Sequence, residues 1–337
     1  MKEPLFPVLA LFLQLAAACG SVDAGAGAGE GGADAGPGDH TGDGDAGADV
    51  GDDDAPVVVE VAPADGAGGV MPDAEITVVF SRAMDQTSVE AAWSSEALPA
   101  ADVTFAWNPA GEVLMVRPDD PLPVAEGSGE NPDAVDPIAI AFTIAGGARA
   151  ADGVALGEPL EVEFHTVRRL ELEVPYHAPL SDSRYSNASA NVGVETLFAG
   201  DDVDDQQIKM VVSFALPELP ADAVVEGAVF QAFHRGIFGE DAYQGLGDLR
   251  LAHVRFNTLG TSFATAALGG QTVLSDDPAE GARSAPVTRA VADDYADDRA
   301  YAQFRGEFPA ATDNDGAGEI AVFGRAEFAL SLSYLTE

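Results

Sequence analysis

The sequence predicts an all-β protein built as two β-sandwich units, and three observations point there. Apolar residues alternate with others at a two-residue period, most clearly in Ile138, Ile140, Phe142 and Ile144 and again in Ile208, Met210, Val212, Phe214 and Leu216, as half-buried strands require. Gly, Pro and Asp cluster between these runs, where turns belong. Only Ser88–Trp93 and Thr288–Tyr295 have helical character, the first because Val89 and Trp93 fall four apart on one face. At 337 residues the chain is long enough for two domains after a leader.

Residues 1–19 form that leader. Lys2 precedes an apolar run from Leu5 to Ala18, interrupted only by Pro7 and Gln14, and small residues lead into Cys19. About fourteen residues are too few for a helix to cross a bilayer, which takes roughly twenty. The stretch Leu15-Ala16-Ala17-Ala18-Cys19-Gly20 resembles the lipoprotein signal family. That resemblance implies lipid attachment at Cys19, a bilayer as partner and, because Gly20 is not the aspartate that retains such proteins in the inner membrane, an outer-membrane location, with a cell-surface position expected. The alternative is an ordinary cleaved signal with an incidental cysteine.

Residues 20–55 are Gly, Ala and Asp with scarcely a large apolar side chain, too little to offset the entropy of ordering, so a disordered acidic linker is expected. The Asp52-Asp53-Asp54 run reads as solvated charge. The whole chain carries a formal charge of -41, which excludes a general affinity for nucleic acid or anionic lipid. Lys2 and Lys209 are its only lysines, and Cys19 its only cysteine, so no disulfide can form within it and each unit needs a hydrophobic core of its own.

The first folded unit spans 56–168, with strands expected at 57–61, 75–81, 102–107, 112–117, 138–144 and 160–167. The string Ala62-Pro63-Ala64-Asp65-Gly66 followed by Ile76-Thr77-Val78-Val79-Phe80-Ser81-Arg82-Ala83-Met84-Asp85 resembles the bacterial Ig-like domain of surface-layer proteins, as do Val113 to Pro118, Asp152-Gly153 and Phe164-His165-Thr166. The insertion Ala125 to Asp136 departs from the pattern and is expected to be a loop. The resemblance implies a spacer with reach and stiffness and no catalytic site.

The second unit, 169–337, has strands expected at 208–216, 224–234, 248–256, 300–305, 319–323 and 327–334, too many for a minimal Ig domain, and a two-sheet jelly roll is the expectation. Asn191-Val192-Gly193, Leu197 to Gly200, Lys209 to Leu216, Val224 to Phe230 and Pro286-Val287-Thr288-Arg289-Ala290-Val291 resemble the DNRLRE-type domains, a group similar to carbohydrate-binding modules. That resemblance implies polysaccharide binding or an accessory role on a secreted protein.

Nothing in the sequence calls for catalysis. Carboxylates are frequent enough to pair by chance, the histidines lack metal-ligand spacing, and no GxSxG elbow occurs, so the chain is not expected to be an enzyme. Two ligand classes stay open. Asp313-Asn314-Asp315-Gly316 gathers oxygen donors around a glycine, which suits calcium at Asp313 and Asp315, and Asp201, Asp202, Asp204 and Asp205 form a second acidic group. Solvated β-turns, ordinary chemistry for Asp-Gly and Asn-Asp, are the commoner explanation of both. Sugars stack on exposed aromatic rings, and with both tryptophans in the first unit the second offers tyrosines, Tyr185 and Tyr243 first, then Tyr176 and Tyr295. The net charge favours a neutral polysaccharide, or an acidic one bridged by calcium. A structural or adhesive spacer without a glycan ligand is the competing class.

Overall fold

The computed structural model describes residues 55–185, 188–190 and 195–337. The leader with Cys19, residues 20–54 and Asn191 to Gly193 lie outside the described residues. No helix of the described chain is long and apolar enough to cross a membrane.

The N-terminal half holds strands β1 (Val58–Ala62), β2 (Ile76–Phe80), β3 (Trp93–Ser94), β4 (Val103–Trp107), β5 (Val113–Pro118), β6 (Ala125–Ser128), β7 (Ala139–Ile144) and β8 (Leu160–His165), with helix α1 (Gln86–Ala92) before β3. Asp85 caps α1 by accepting from the Ser88 amide at 3.2 Å, which turns Val89 into the core. One sheet runs β1-β2-β5-β4 and the other β3-β7-β8. The alternating residues read from the sequence line the space between them: Ile76, Val78 and Phe80 from one side, Ile140, Phe142 and Ile144 from the other, all buried. Trp93 stacks on Phe142 at 4.7 Å and meets Phe105 edge-on at 5.8 Å, and its indole N–H donates to the Leu98 carbonyl, so this buried tryptophan leaves no polar atom unpaired.

The insertion at 125–136 is more than the loop expected of it. Its first residues form β6, which pairs in parallel with the opening strand of the C-terminal half, and Pro132–Ala134 make a short 3-10 turn. Gly127 is the reason β6 can lie so close: a Cβ there would collide with Val135 and press on Leu170. Apolar periodicity could not flag a strand whose sequence is Ala-Glu-Gly-Ser and whose stability comes from its partner's backbone.

The C-terminal half contains β9 (Arg168–Pro175), β10 (Asp182–Tyr185), β11 (Ala188–Ser189), β12 (Thr196–Asp201), β13 (Gln207–Ala215), β14 (Val224–Gly239), β15 (Leu249–His253), β16 (Thr272–Ser275), β17 (Gly281–Pro286), β18 (Tyr301–Glu307), β19 (Glu319–Gly324) and β20 (Ala329–Thr336), with helices α2 (Ala242–Gly245), α3 (Leu259–Ser262) and α4 (Thr288–Ala296). It is the sandwich the sequence predicts. Strands β16-β15-β18-β13, with β10 and β11 continuing from β13, form one layer; β19-β14-β20-β9 form the other, and β12 connects the two. Phe214 of β13 and Phe304 of β18 meet Phe230 of β14 edge to face at 5.7 and 5.6 Å, so the core is an aromatic contact between layers. The hydrophobic cluster around Phe230 and the cluster around Trp93 share no residue.

Candidate functional site

The site grows out of one pair of strands. β12 ends at Asp201 and β19 begins at Glu319, and these two residues face each other in antiparallel register, while Gly239 at the end of β14 flanks Glu319 on the other side. Directly opposed residues project to the same face of a sheet. Two glycines let the three backbones close: a Cβ on Gly200 would strike the Glu319 carbonyl, and one on Gly239 the Gly318 carbonyl. Two acidic loops then fold over the strand ends. The amide of Gly316 and the hydroxyl of Thr312 both donate to Asp205 Oδ1, each at 3.2 Å, which ties the loop after β19's predecessor to the loop after β12.

Six carboxylates converge there in two sets of three. Asp201, Asp205 and Asp313 each bring an oxygen within 4.8 Å of the others, as do Glu240, Asp315 and Glu319. Asp201 has no exposed surface and Glu319 only 3%, yet neither oxygen of Asp201 and not Oε2 of Glu319 has a hydrogen-bond partner. Among the described residues none of the six enters an ion pair with lysine, arginine or histidine. Burial pushes the Glu319 carboxyl up to about 7, and Asp313, Asp201, Asp315 and Glu240 push in the same direction. Burial raises Asp201 as well, with Asp313, Asp205 and Asp315 adding to it; Thr312 lies close enough to oppose the shift but donates to Asp205 instead.

The sign of the resulting pH dependence follows. A carboxyl whose folded value lies above its unfolded one costs the fold nothing when both are protonated, and its cost grows as pH rises towards the folded value. In buffer with a chelator, Glu319→Gln is therefore expected to match the wild type near pH 4 and to exceed it by on the order of 2 kcal/mol near pH 8, where the native glutamate is held ionised among four other carboxylates. Urea denaturation at both pH values measures this. An unchanged or lower stability at pH 8 would contradict the burial of an unsatisfied charge.

The structure thus places Asp313 in one set with Asp201 and Asp205, and Asp315 in the other with Glu240 and Glu319. Turn chemistry is also present: Asp313 Oδ1 accepts from the Asp315 amide at 3.2 Å, Asp315 Oδ1 from the Ala317 amide at 2.7 Å, and Asp202 Oδ1 from the amides of Asp204 and Gln206 at 3.0 Å each. Glu240 and Glu319 escaped the sequence reading, because only the strand register brings them to the loops.

The tyrosines sit differently from the exposed platform expected of them. Tyr243 lies on α2, half-buried, with its ring edge-on to Phe308 at 5.3 Å and to His234 at 5.6 Å, and burial raises its hydroxyl. Tyr176 stacks on Phe328 and Tyr295 donates to the Pro217 carbonyl, so both belong to the core's margin. Tyr185 at the end of β10 is half-buried, and burial followed by its hydrogen bond to Asp202 pushes its hydroxyl up to about 12. Among the described residues the one exposed aromatic is Phe238, 71% exposed at the end of β14 and two residues before Glu240.

A second polar group lies on the opposite layer. His253 Nε2 and Arg255 Nε meet the two oxygens of buried Asp294 at 2.9 and 2.7 Å, beside an open groove lined by Thr272, Thr288, Arg289, Asp293 and Phe304.

Residues 52–126 match the bacterial Ig-like domain family. The match ends before β7 and β8, which complete the N-terminal sandwich. No curated protein matches the sequence. Among solved structures, an L,D-transpeptidase from Mycobacterium smegmatis aligns at 18% identity and a TM-score of 0.23, covering 55% of this chain and 64% of its own. The Bacteroides ovatus mixed-linkage glucan utilization locus SGBP-B, in complex with a mixed-linkage heptasaccharide, aligns at 9% identity and 0.20, covering 84% of this chain and 53% of its own. At these scores the likeness does not extend to a shared overall fold.

Proposed function

We propose that this chain is a surface lipoprotein of the outer membrane, anchored through acylated Cys19, in which the acidic segment and the Ig-like unit hold the C-terminal jelly roll away from the bilayer so that it binds an extracellular polysaccharide without catalysis. The observation that carries the binding half is Phe238. A large aromatic ring left 71% exposed has no role in the core, and it offers an apolar face of the kind on which a sugar ring packs. The Ig-like match at 52–126 supports the spacer reading, since the module it identifies lies N-terminal to the proposed binding unit in the chain.

Two experiments test the two halves. Cys19→Ser is expected to move the protein from the membrane pellet to the soluble fraction, because several acyl chains hold a protein firmly and none remain in the variant. Continued sedimentation with membranes would contradict the anchor. For binding, affinity electrophoresis against neutral and acidic polysaccharides, with calcium present, is expected to show retardation that Phe238→Ala abolishes and Tyr185→Ala weakens. Tyr243→Ala is no clean test, because that ring supports Phe308 and His234. Absence of retardation across the panel would leave the structural or adhesive spacer, which the inward-turned tyrosines favour, as the better reading.

A further inference from the structure

We infer that the acidic cluster between the 201–206 and 312–318 loops binds calcium through two sets of oxygen donors, Asp201 with Asp205 and Asp313, and Glu240 with Asp315 and Glu319. The acidity of the chain explains exposed carboxylates, which water solvates at little cost; it does not explain burial. Asp201 is fully buried with both carboxylate oxygens unpartnered, and Glu319 is almost fully buried with Oε2 unpartnered, and each has its carboxylate within 4.8 Å of the acidic loop residues of its set. Turn formation uses one oxygen each of Asp205, Asp313 and Asp315 and neither oxygen of Asp201. A buried charge without hydrogen bonds persists when it is paired or coordinates a metal, and no cationic side chain is paired with these six among the described residues.

The donor set selects the ion. Both sets consist of carboxylates alone, without the histidine or cysteine that zinc takes, and calcium fills its six to eight positions in flexible geometry with mono- or bidentate carboxylates and waters. Magnesium keeps several of its waters and demands near-octahedral order, which a pocket assembled from two loops and three strand ends does not impose. Bound calcium would clamp the β12, β14 and β19 ends to the two loops. The inference stands apart from the anchor and from polysaccharide binding, and neither outcome above bears on it.

The test uses the full chain, stripped with a chelator, in about 0.15 M NaCl so that general charge screening is already in place. With the weak affinity of extracellular calcium modules, about 10 mM CaCl2 is expected to raise Tm by roughly 3–10 °C and to give a saturable heat by calorimetry. MgCl2 at the same concentration should give a clearly smaller shift. The double variant Asp201→Asn with Glu319→Gln should keep the wild-type circular dichroism and lose most of the calcium shift, whereas Glu60→Gln, on an exposed strand of the other half, should keep it. If the double variant does not fold, Asp313→Asn at its exposed position should lower the shift by roughly half or more. An absent calcium heat and shift, a double variant that retains the full shift, or magnesium matching calcium in both proteins would each overturn the assignment.

Discussion

Phe230→Ala is expected to destabilise the C-terminal sandwich by about 3–5 kcal/mol. The ring is fully buried on β14 and meets Phe214, Phe304 and Phe328 at 5.7, 5.6 and 5.9 Å, so it contacts β13 and β18 of one layer and the residue just before β20 in its own. Truncation removes the transfer energy of a phenyl group and leaves a cavity walled by three other rings, which backbone hydrogen-bonded on both sides cannot collapse into. Urea denaturation followed by far-ultraviolet circular dichroism gives the loss. Trp93 and Trp107 both lie in the N-terminal cluster, which shares no residue with the cluster around Phe230, so tryptophan fluorescence follows the other half alone. Its transition is expected to stay near the wild-type midpoint, as two separately folding domains require. A fluorescence transition that moves with the circular dichroism would mean that β6, the strand lent by the N-terminal half to β9, couples the halves into one cooperative unit. A loss below about 1.5 kcal/mol would mean that the aromatic contact is not the centre of the sandwich.

The elements legible in the sequence are those whose apolar residues alternate strictly. β2, β7, β13 and β20 stand where periodicity puts them, because each turns an alternating apolar face into a sandwich core, although β13 also buries Val211 and Ser213 on its other face. β3, β12, β16 and β17 lie outside the strands expected, and so do β6, β9, β10 and β11, for which physical reasons can be named. β10 reads Asp-Ser-Arg-Tyr and is nonetheless buried over Asp182, Ser183 and Arg184, with the Arg184 guanidinium 3.0 Å from Asp182. Buried ion pairs defeat a reading that equates polar with exposed. β6 and β11 are short edge pieces held by a partner's backbone, and β9 falls at the boundary between the two expected units, where no strand is expected although Leu170 and Val174 are buried in it, because arginines open it and glutamates interrupt it.

The acidic pocket divides along the same line. Asp313 and Asp315 were readable as oxygen donors from local spacing alone. Asp201 was readable as one of a charged run, but its burial was not, since it comes from pairing with β19. Glu319 looked like an ordinary strand start. What makes it part of the pocket is register across β12, β19 and β14, and the only local trace of that is a glycine, Gly200 or Gly239, where each neighbouring strand comes too close for a side chain.

Asp294→Ala is expected to cost about 3–5 kcal/mol, the range for removing one partner of a buried ion pair. Asp294 has no exposed surface, and its two oxygens accept from Arg255 Nε at 2.7 Å and face His253 Nε2 at 2.9 Å, joining α4 to β15 and the residues just after it. Without it, Arg255 keeps the Asp293 carbonyl, to which it donates at 3.1 Å, and Asp297, whose side chain is 57% exposed and whose pairing is worth less than about 1 kcal/mol. Asp297→Ala is accordingly the control that should scarcely change stability. Chemical denaturation of both variants decides it, and equal losses would mean that burial of the pair does not govern its strength. The comparison with the acidic pocket sharpens the physical point. Asp294 and Glu319 are both buried carboxylates, yet removing the charge of the first should destabilise, and removing that of the second, in calcium-free buffer near pH 8, should stabilise. The difference lies in what faces them: a guanidinium and an imidazole in one case, other carboxylates in the other. If Glu319→Gln also destabilised by several kcal/mol without calcium, a cationic or hydrogen-bonding partner would have to occupy the pocket, and the opposite signs expected here would be wrong.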